Sequence, residues 1–529
     1  MRALSRIAFG VVAVAGLAAQ TQPSTYTIAG TVVDHLSGRP LGGILMSVVP
    51  VARDSEPIVM LTGPDGRFSF PHVPAGKYSL SAQRRGGRPR AYLEHGPYST
   101  AIVTGPGLDS EHVSFPLIAP ARLAGTVVDS EGDPVPGAQL MLIHQTWLNG
   151  FPEFSPIQNA ASSQSGAFEF SQLQAARYYI AVQAQPWYAQ HADLTTVASQ
   201  AISSVPPELD VGYAVTYSGD TTDPAAAQPV QVEEGKTANI RITLRAVPAV
   251  TLTLKTAGDE QPPPNGSLTV QGLGGMPMQA TTSTSSNGHV TQLQAGAPGR
   301  YELNANFGSE RIRRTIDLTS NTTLELSKDD PLKCTGRVSL DGSGSVPGRA
   351  MVLLLVNEGV TYPGRPNPDG SFSFDPVPPG RSQVFLDNAP GLYVKSISLN
   401  GVKAAGDFID IPASGSFDVS VVAARVAVDK LEGVVEHDGK PVPAAMVLLV
   451  PDDLSRISLI RRDQSDSDGT FSLPEVAPGR YTVIALDGDS DLAYRDPAVI
   501  KPYLGHGQSV TIAPGFSQRL KVELTPRQH

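Results

Sequence analysis

The chain has 529 residues, of which 51 are Gly and 46 Pro, 40 % are hydrophobic and 17 % charged. That length spans several domains of ~100–200 residues, with enough apolar residues to exclude a disordered chain and Gly plus Pro short of the roughly 25–30 % of low complexity. A net charge of −10 and a pI near 5.5 disfavour a general nucleic-acid binder, and the single Cys excludes a disulfide framework.

Residues 1–19 read as a signal peptide. Arg2 and Arg6 form a basic start, Ile7 to Leu17 is an apolar run too short to span a bilayer, and Gly16-Leu17-Ala18 or Leu17-Ala18-Ala19 offers small residues for cleavage. An uncleaved anchor is the alternative. The absence of Cys at the cut argues against a lipoprotein, and no later apolar run is long enough for a membrane helix. The mature chain is expected to be exported, to the periplasm, the cell surface or outside, with no integral membrane segment.

Five strand-rich units follow, expected at 24–119, 121–247, 248–329, 331–428 and 429–526. The first opens with Thr27 to Asp34 and runs through apolar Ile44 to Val51, the strand from Tyr78, a basic loop Arg84 to Arg90, and a last strand near Val113. The second reopens at Leu123 to Asp129 and carries two long insertions, around Trp147 to Ile157 and from Trp187 to Pro224. The third, Val250 to Leu326, is the most divergent. The fourth and fifth open at Cys334 and Leu431, and Met351 to Val356 and Met446 to Val450 read as fully buried strands. Short strands with turn residues every 8–12 positions predict an all-β sandwich for each unit, and little in the chain has a helical period. Short linkers such as Ala119-Pro120 suggest domains stacked like beads with limited swing.

One phrase recurs through the units. Its clearest copy is Asp468-Gly469-Thr470-Phe471-Ser472-Leu473, then Pro478-Gly479-Arg480-Tyr481; others start at Asp65, Ser165 and Asp369. Asp-Gly predicts a type I′ hairpin with positive φ at both central residues, and Phe471 and Leu473 alternate as in a half-buried strand. With the openings Gly30-Thr31-Val32-Val33-Asp34 and Gly125-Thr126-Val127-Val128-Asp129, and with Pro134-Val135-Pro136-Gly137-Ala138, this spelling resembles the carboxypeptidase regulatory-like domain. The resemblance implies a tandem array of Greek-key, transthyretin-like β-sandwiches. It also carries a kinship with starch-binding-like folds, and Tyr494 to Gly505 resembles the closing segment of exported bacterial repeat proteins. Function is not implied, because activities are grafted onto such folds.

No chemistry follows from the motifs. His-Glu-x-x-His, His-x-x-Glu and Gly-x-Ser-x-Gly are all absent, so no catalytic residue, metal ligand or cofactor is assigned and a hydrolase is a distant alternative. Asp463, Asp466 and Asp468, with Asp487, Asp489 and Asp491, alternate as in a calcium loop, but Ala498 stands where an EF-hand needs Glu. The Arg84 to Arg90 run suits either an anion or plain solvent. Lys255, Glu302 and Asn304 or Asn321 are the residue types of the isopeptide bond of collagen-adhesin sandwiches. Cys334 reads as a small buried hydrophobe. The best binding candidates are Trp147, Phe151, Tyr179, Trp187 and Tyr188, with Phe154, Asn149 and Gln190 near them: aromatic planes stack on the C–H faces of sugars, although the same rings would also pack the insertions. The expected partner is a polysaccharide or, alternatively, a cell-surface or extracellular protein bound by a scaffold through edge strands.

Overall fold

The structure is a computed structural model. It describes residues 25–525 except 53–55, 149–150, 191–204, 257–264, 274–275, 288–289, 308–309, 327–333, 343, 357–359, 375–376, 378, 413–414 and 488–491. The signal-peptide residues and Asp489 and Asp491 therefore lie outside it.

The chain forms a tandem array of β-sandwiches, each closing on its own apolar cluster. One plan recurs. The opening strand lies between the phrase strand, to which it is antiparallel, and the closing strand, to which it is parallel. In the first sandwich these are Thr25–Asp34, Arg67–Pro74 and Val113–Leu117. In the fifth they are Val428–His437, Thr470–Val476 and Leu520–Thr525. The second, third and fourth sandwiches repeat it with openings Ala121–Val128, Val250–Thr256 and Cys334–Leu340. The facing sheet supplies the other half of each core, as where Met46 and Val48 meet Phe68 and Phe115.

The phrase turns differently from the expectation. Positive φ falls on Gly66, Gly166, Gly370 and Gly469 only, never on the residue before them. In the fifth sandwich the Gly469 N–H donates to Asp466 O at 2.8 Å and the Asp466 N–H to Thr470 O at 2.8 Å. This is a type I turn closed by a left-handed glycine, not type I′. The aspartate is selected because its carboxylate accepts the N–H two residues on: Asp65 from Arg67 at 3.2 Å, Asp369 from Ser371 at 3.0 Å, Asp468 from Thr470 at 3.0 Å.

The tyrosine after the second turn has a role the alternation does not reveal. Its hydroxyl donates to the carbonyl four residues back in four sandwiches: Tyr78 to Pro74, Tyr178 to Gln174, Tyr301 to Ala297, and Tyr481 to Ala477. Each ring is buried, so the bond satisfies a corner carbonyl that water does not reach. The fourth sandwich has Ser382 at this place, with its buried hydroxyl unpartnered. Tyr481→Phe should cost about 1 kcal/mol and lower the melting temperature of the fifth sandwich by roughly 4–8 °C, read by differential scanning calorimetry.

Met446–Pro451 is buried along its whole length, as expected, but Met351–Val356 is not: Val352 and Leu354 are fully buried, whereas Met351 and Leu353 are half-buried. The difference is a second apolar layer. Val447 and Leu449 face the fifth core, whereas Met446, Leu448 and Val450 face a cluster with Tyr494, Ile500 and Tyr503 from a helix at Pro497–Leu504 and the segment before it. Asp496 caps that helix by accepting from the Ala498 N–H at 2.8 Å, and Pro497 begins it.

The beads-on-a-string expectation is corrected. The first sandwich touches the second, where His35 Nδ1 lies 2.8 Å from Glu234. The second is seamed to the third through Ile143, Ala181, Tyr217, Leu273 and Met278. The fourth is joined to the fifth through Asp407, and the first is docked on the fifth across more than 360 residues of sequence. The spatial order is therefore third, second, first, fifth, fourth. The two ends of that order are tied by the chain itself, since Leu326 and Cys334 are eight residues apart and so within about 29 Å. The array closes on itself as a ring.

The dock between first and fifth sandwiches uses the phrase hairpin. Asp466 Oδ1 accepts the Ala101 N–H at 3.1 Å, and its other oxygen takes the Lys77 ammonium. Ser467 donates its N–H to Ala101 O at 2.9 Å and its hydroxyl oxygen accepts the Val103 N–H at 2.8 Å. Gln464 donates to Leu93 O at 2.7 Å and to the Thr100 hydroxyl at 2.9 Å, while the Arg462 guanidinium stacks 4.3 Å from the Tyr98 ring centre.

Burial pushes the carboxyls of Asp407, Asp463 and Asp466 up from the ordinary 3.8, against the opposing pull of their donors. Such a group binds protons more readily folded than unfolded, so its contribution is full below 3.8 and falls as pH rises through the raised value. Asp34, Asp369 and Asp453, held low chiefly by hydrogen bonds from serines, act oppositely, their contribution being lost as pH falls through their lowered values. Their opposing contributions should therefore be jointly greatest near pH 3.8: the melting temperature rises as pH falls towards that value and falls again below it. A monotonic fall from pH 7 would contradict it.

Candidate functional site

The two insertions of the second sandwich take different forms. The first is a long hairpin, Gln139–Leu148 against Phe151–Ala161, with Trp147 opposite Pro152 and Leu148 opposite Phe151. Trp147 and Phe151 are placed by their strands alone, and Asn149 lies outside the described residues. The second insertion leaves Ala176–Gln183 and begins with an aromatic pair, an exposed Trp187 and a half-buried Tyr188. Trp187 is 90 % exposed, its ring centre 5.8 Å from that of Tyr188 at 86°.

The five candidate aromatics do not form one platform. Gln139 pairs with Gln183 and His144 with Tyr178, so Trp147 stands at the far end of the sheet, about 26 Å of strand from Gln139, while Trp187 follows Gln183 by four residues. Tyr179 meets Phe154 edge-on at 5.5 Å, and both rings are half-buried against the seam with the third sandwich. Their area is spent on packing. Trp187 with Tyr188 is the pair left facing solvent, while Gln190 is exposed nearby.

The other sequence candidates are absorbed by structure. Asp463 accepts the Ser472 N–H at 2.6 Å, and Asp466 and Asp468 are spent on the dock and the turn. In the basic loop, Arg84 donates to Leu117 O at 3.2 Å and reaches Asp34 at 3.5 Å, and Arg90 lies 3.4 Å from Glu94. Lys255 is exposed in one sheet of the third sandwich, while Glu302 is buried in the other and accepts from Asn304 at 3.3 Å; Asn321 accepts the Thr251 N–H at 2.8 Å. Cys334 is buried, which pushes its thiol pKa up. Among the described residues, His437, Asp438 and Glu523 are the only group of three spaced to hold a metal, and all are exposed, with His437 bonded to Glu523 at 3.2 Å. No helix among the described residues is long and apolar enough to cross a membrane.

No curated protein sequence matches the chain. Among solved structures, the minor pilin GBS52 of Streptococcus agalactiae aligns at 15 % identity with a TM-score of 0.23, covering 42 % of this chain and 97 % of that one. The shaft pilin SpaA of Lactobacillus rhamnosus GG aligns at 11 % and 0.19, over 42 % and 98 %. The Bacillus anthracis TIE protein aligns at 11 % and 0.17, over 76 % and 75 %. The model of the carboxypeptidase regulatory-like domain matches residues 27–108 and 122–205. The model thus matches the first two sandwiches of the recurring strand plan, and the chain as a whole is a tandem β-sandwich array with carboxypeptidase regulatory-like domains at its start.

Proposed function

We propose that this is a non-catalytic, exported binding protein that uses its closed array of sandwiches to present a carbohydrate-binding surface on the second. The observation that carries the reading is Trp187, 90 % exposed and braced edge-on by Tyr188. A tryptophan left in water at that exposure gains by stacking on a sugar face. The absorption of the buried carboxylates and arginines into docks and turns supports a non-catalytic reading. The units at 24–119, 121–247, 248–329, 331–428 and 429–526 are read as the domains of this scaffold. A glycan array tests the reading: binding that Trp187→Ala abolishes supports it, and silence across the array contradicts it.

A second reading has its own observation. The edge strand Ile58–Leu61 of the first sandwich has Ile58, Val59 and Leu61 each more than half exposed, which suits pairing with an extended segment of an extracellular protein.

A further inference from the structure

Between the second and third sandwiches lies a cleft of about 1140 Å³, larger than most small-molecule pockets. Its walls are set by the seam beneath it. Tyr217 packs on Met278, Gln183 donates across to Gln279 O at 2.7 Å, and Gly212 lies so close to Gly296 that an added Cβ would stand 1.9 Å from its carbonyl oxygen. Two walls held in fixed relation make a preorganised site.

The lining is rich in amides. Gln139, Gln183 and Gln185 come from one wall, Gln271 and Gln279 from the other. An amide presents two donors and an acceptor, which matches a hydroxyl that is both donor and acceptor. Gln185, Gln271 and Gln279 are exposed, and their side chains have no partner among the described residues. Charge is scarce. Arg300 is neutralised by Asp317 through two bonds of 2.8 and 3.1 Å, leaving Asp223 as the one other charged lining residue. Such a field favours neither a polyanion nor a polycation.

The aromatic pair does not itself line the cleft but lies next to residues that do. Gln185 lines it two residues before Trp187, and Tyr213 lines it beside Tyr188; burial first, then the charges of Asp129 and Tyr188, push the Tyr213 phenol up to about 12. Amides that bond hydroxyls therefore adjoin a ring plane that stacks on C–H faces. We infer that this cleft binds an uncharged oligosaccharide, with Gln185, Gln271 and Gln279 reading its hydroxyls and Trp187 stacking at the mouth. This rests on the carbohydrate reading above.

Isothermal titration of the full chain with uncharged hexasaccharides of glucose in β-1,4 and α-1,4 linkage, of xylose and of N-acetylglucosamine tests it. The expected result is binding of at least one sugar, weakened at least tenfold by Trp187→Ala and by the pair Gln271→Ala with Gln279→Ala, with unchanged melting temperature. Trp147→Ala, at the far end of the sheet, should leave it unaltered. Binding that the glutamine pair leaves unaltered overturns the cleft while the carbohydrate reading stands. Binding of none of the four, or of acidic polysaccharides or peptides alone, overturns the inference, and silence on every glycan overturns both.

Discussion

Gly433→Ala is expected to destabilise the fifth sandwich by about 3 kcal/mol, at the upper end of ordinary overpacking costs. A Cβ at Gly433 would stand 2.3 Å from Phe471 Cζ and 2.8 Å from Leu520 O. The first is the phenylalanine of the phrase, the second the backbone of the parallel closing strand, so neither the fully buried ring nor the strand has room to retreat. The opening glycine and the phrase are therefore two halves of one contact. Gly125 has the same relation to Phe168 and Ile240, and Gly336 to Phe372 and Val419. Gly505→Ala is the control, at a helix end with φ −66° and no atom within 4 Å of the added carbon. Calorimetry should show the Gly433→Ala transition of this sandwich lowered by roughly 12 °C or more and that of Gly505→Ala almost unmoved.

Asp407→Ala should separate the fourth sandwich from the fifth. Asp407 is fully buried, accepts from Arg456 Nε at 3.0 Å and from the Ser458 N–H at 2.7 Å, and donates its own N–H to Ser455 O at 3.0 Å. Removing the carboxylate takes the acceptor from Arg456 Nε and from the Ser458 N–H, and leaves the guanidinium, still bonded to the Val394 and Lys395 carbonyls, without its counter-charge, a loss of about 3 kcal/mol. Asp407→Asn keeps one acceptor and should lose less. Limited proteolysis reads the outcome, with the alanine variant cut between residues 403 and 460 at protease levels that leave the parent intact. Equal resistance of both would contradict the account of this joint.

The sandwich repeats are legible in the sequence because each turn and core position has its own chemistry: a left-handed glycine after Asp65, Asp369 and Asp468, and alternating Phe and Leu behind it. The helix at Pro497–Leu504 is not among the sequence expectations, because its eight residues are too few for a periodic signal; its only local marks are Asp496-Pro497 at the start and Gly505 at the end. What was not legible is how the sandwiches meet. Asp466 and Gln464 read as turn and strand residues, and nothing local to them says that Ala101 and Thr100 lie opposite. That the aromatic candidates are split is hidden for a related reason. Trp147 and Trp187 are close in composition but fall at opposite ends of one sheet, a separation that strand register sets and sequence distance conceals.

The closed arrangement fixes where the cleft, the exposed tryptophan and the edge strand stand relative to one another, and solution scattering measures it directly. Five sandwiches of ordinary size in a ring have a radius of gyration of about 31 Å, and the same five in a row about 48 Å. A value for the mature chain near the first supports the dock between Asp466 and Ala101; a value near the second contradicts it.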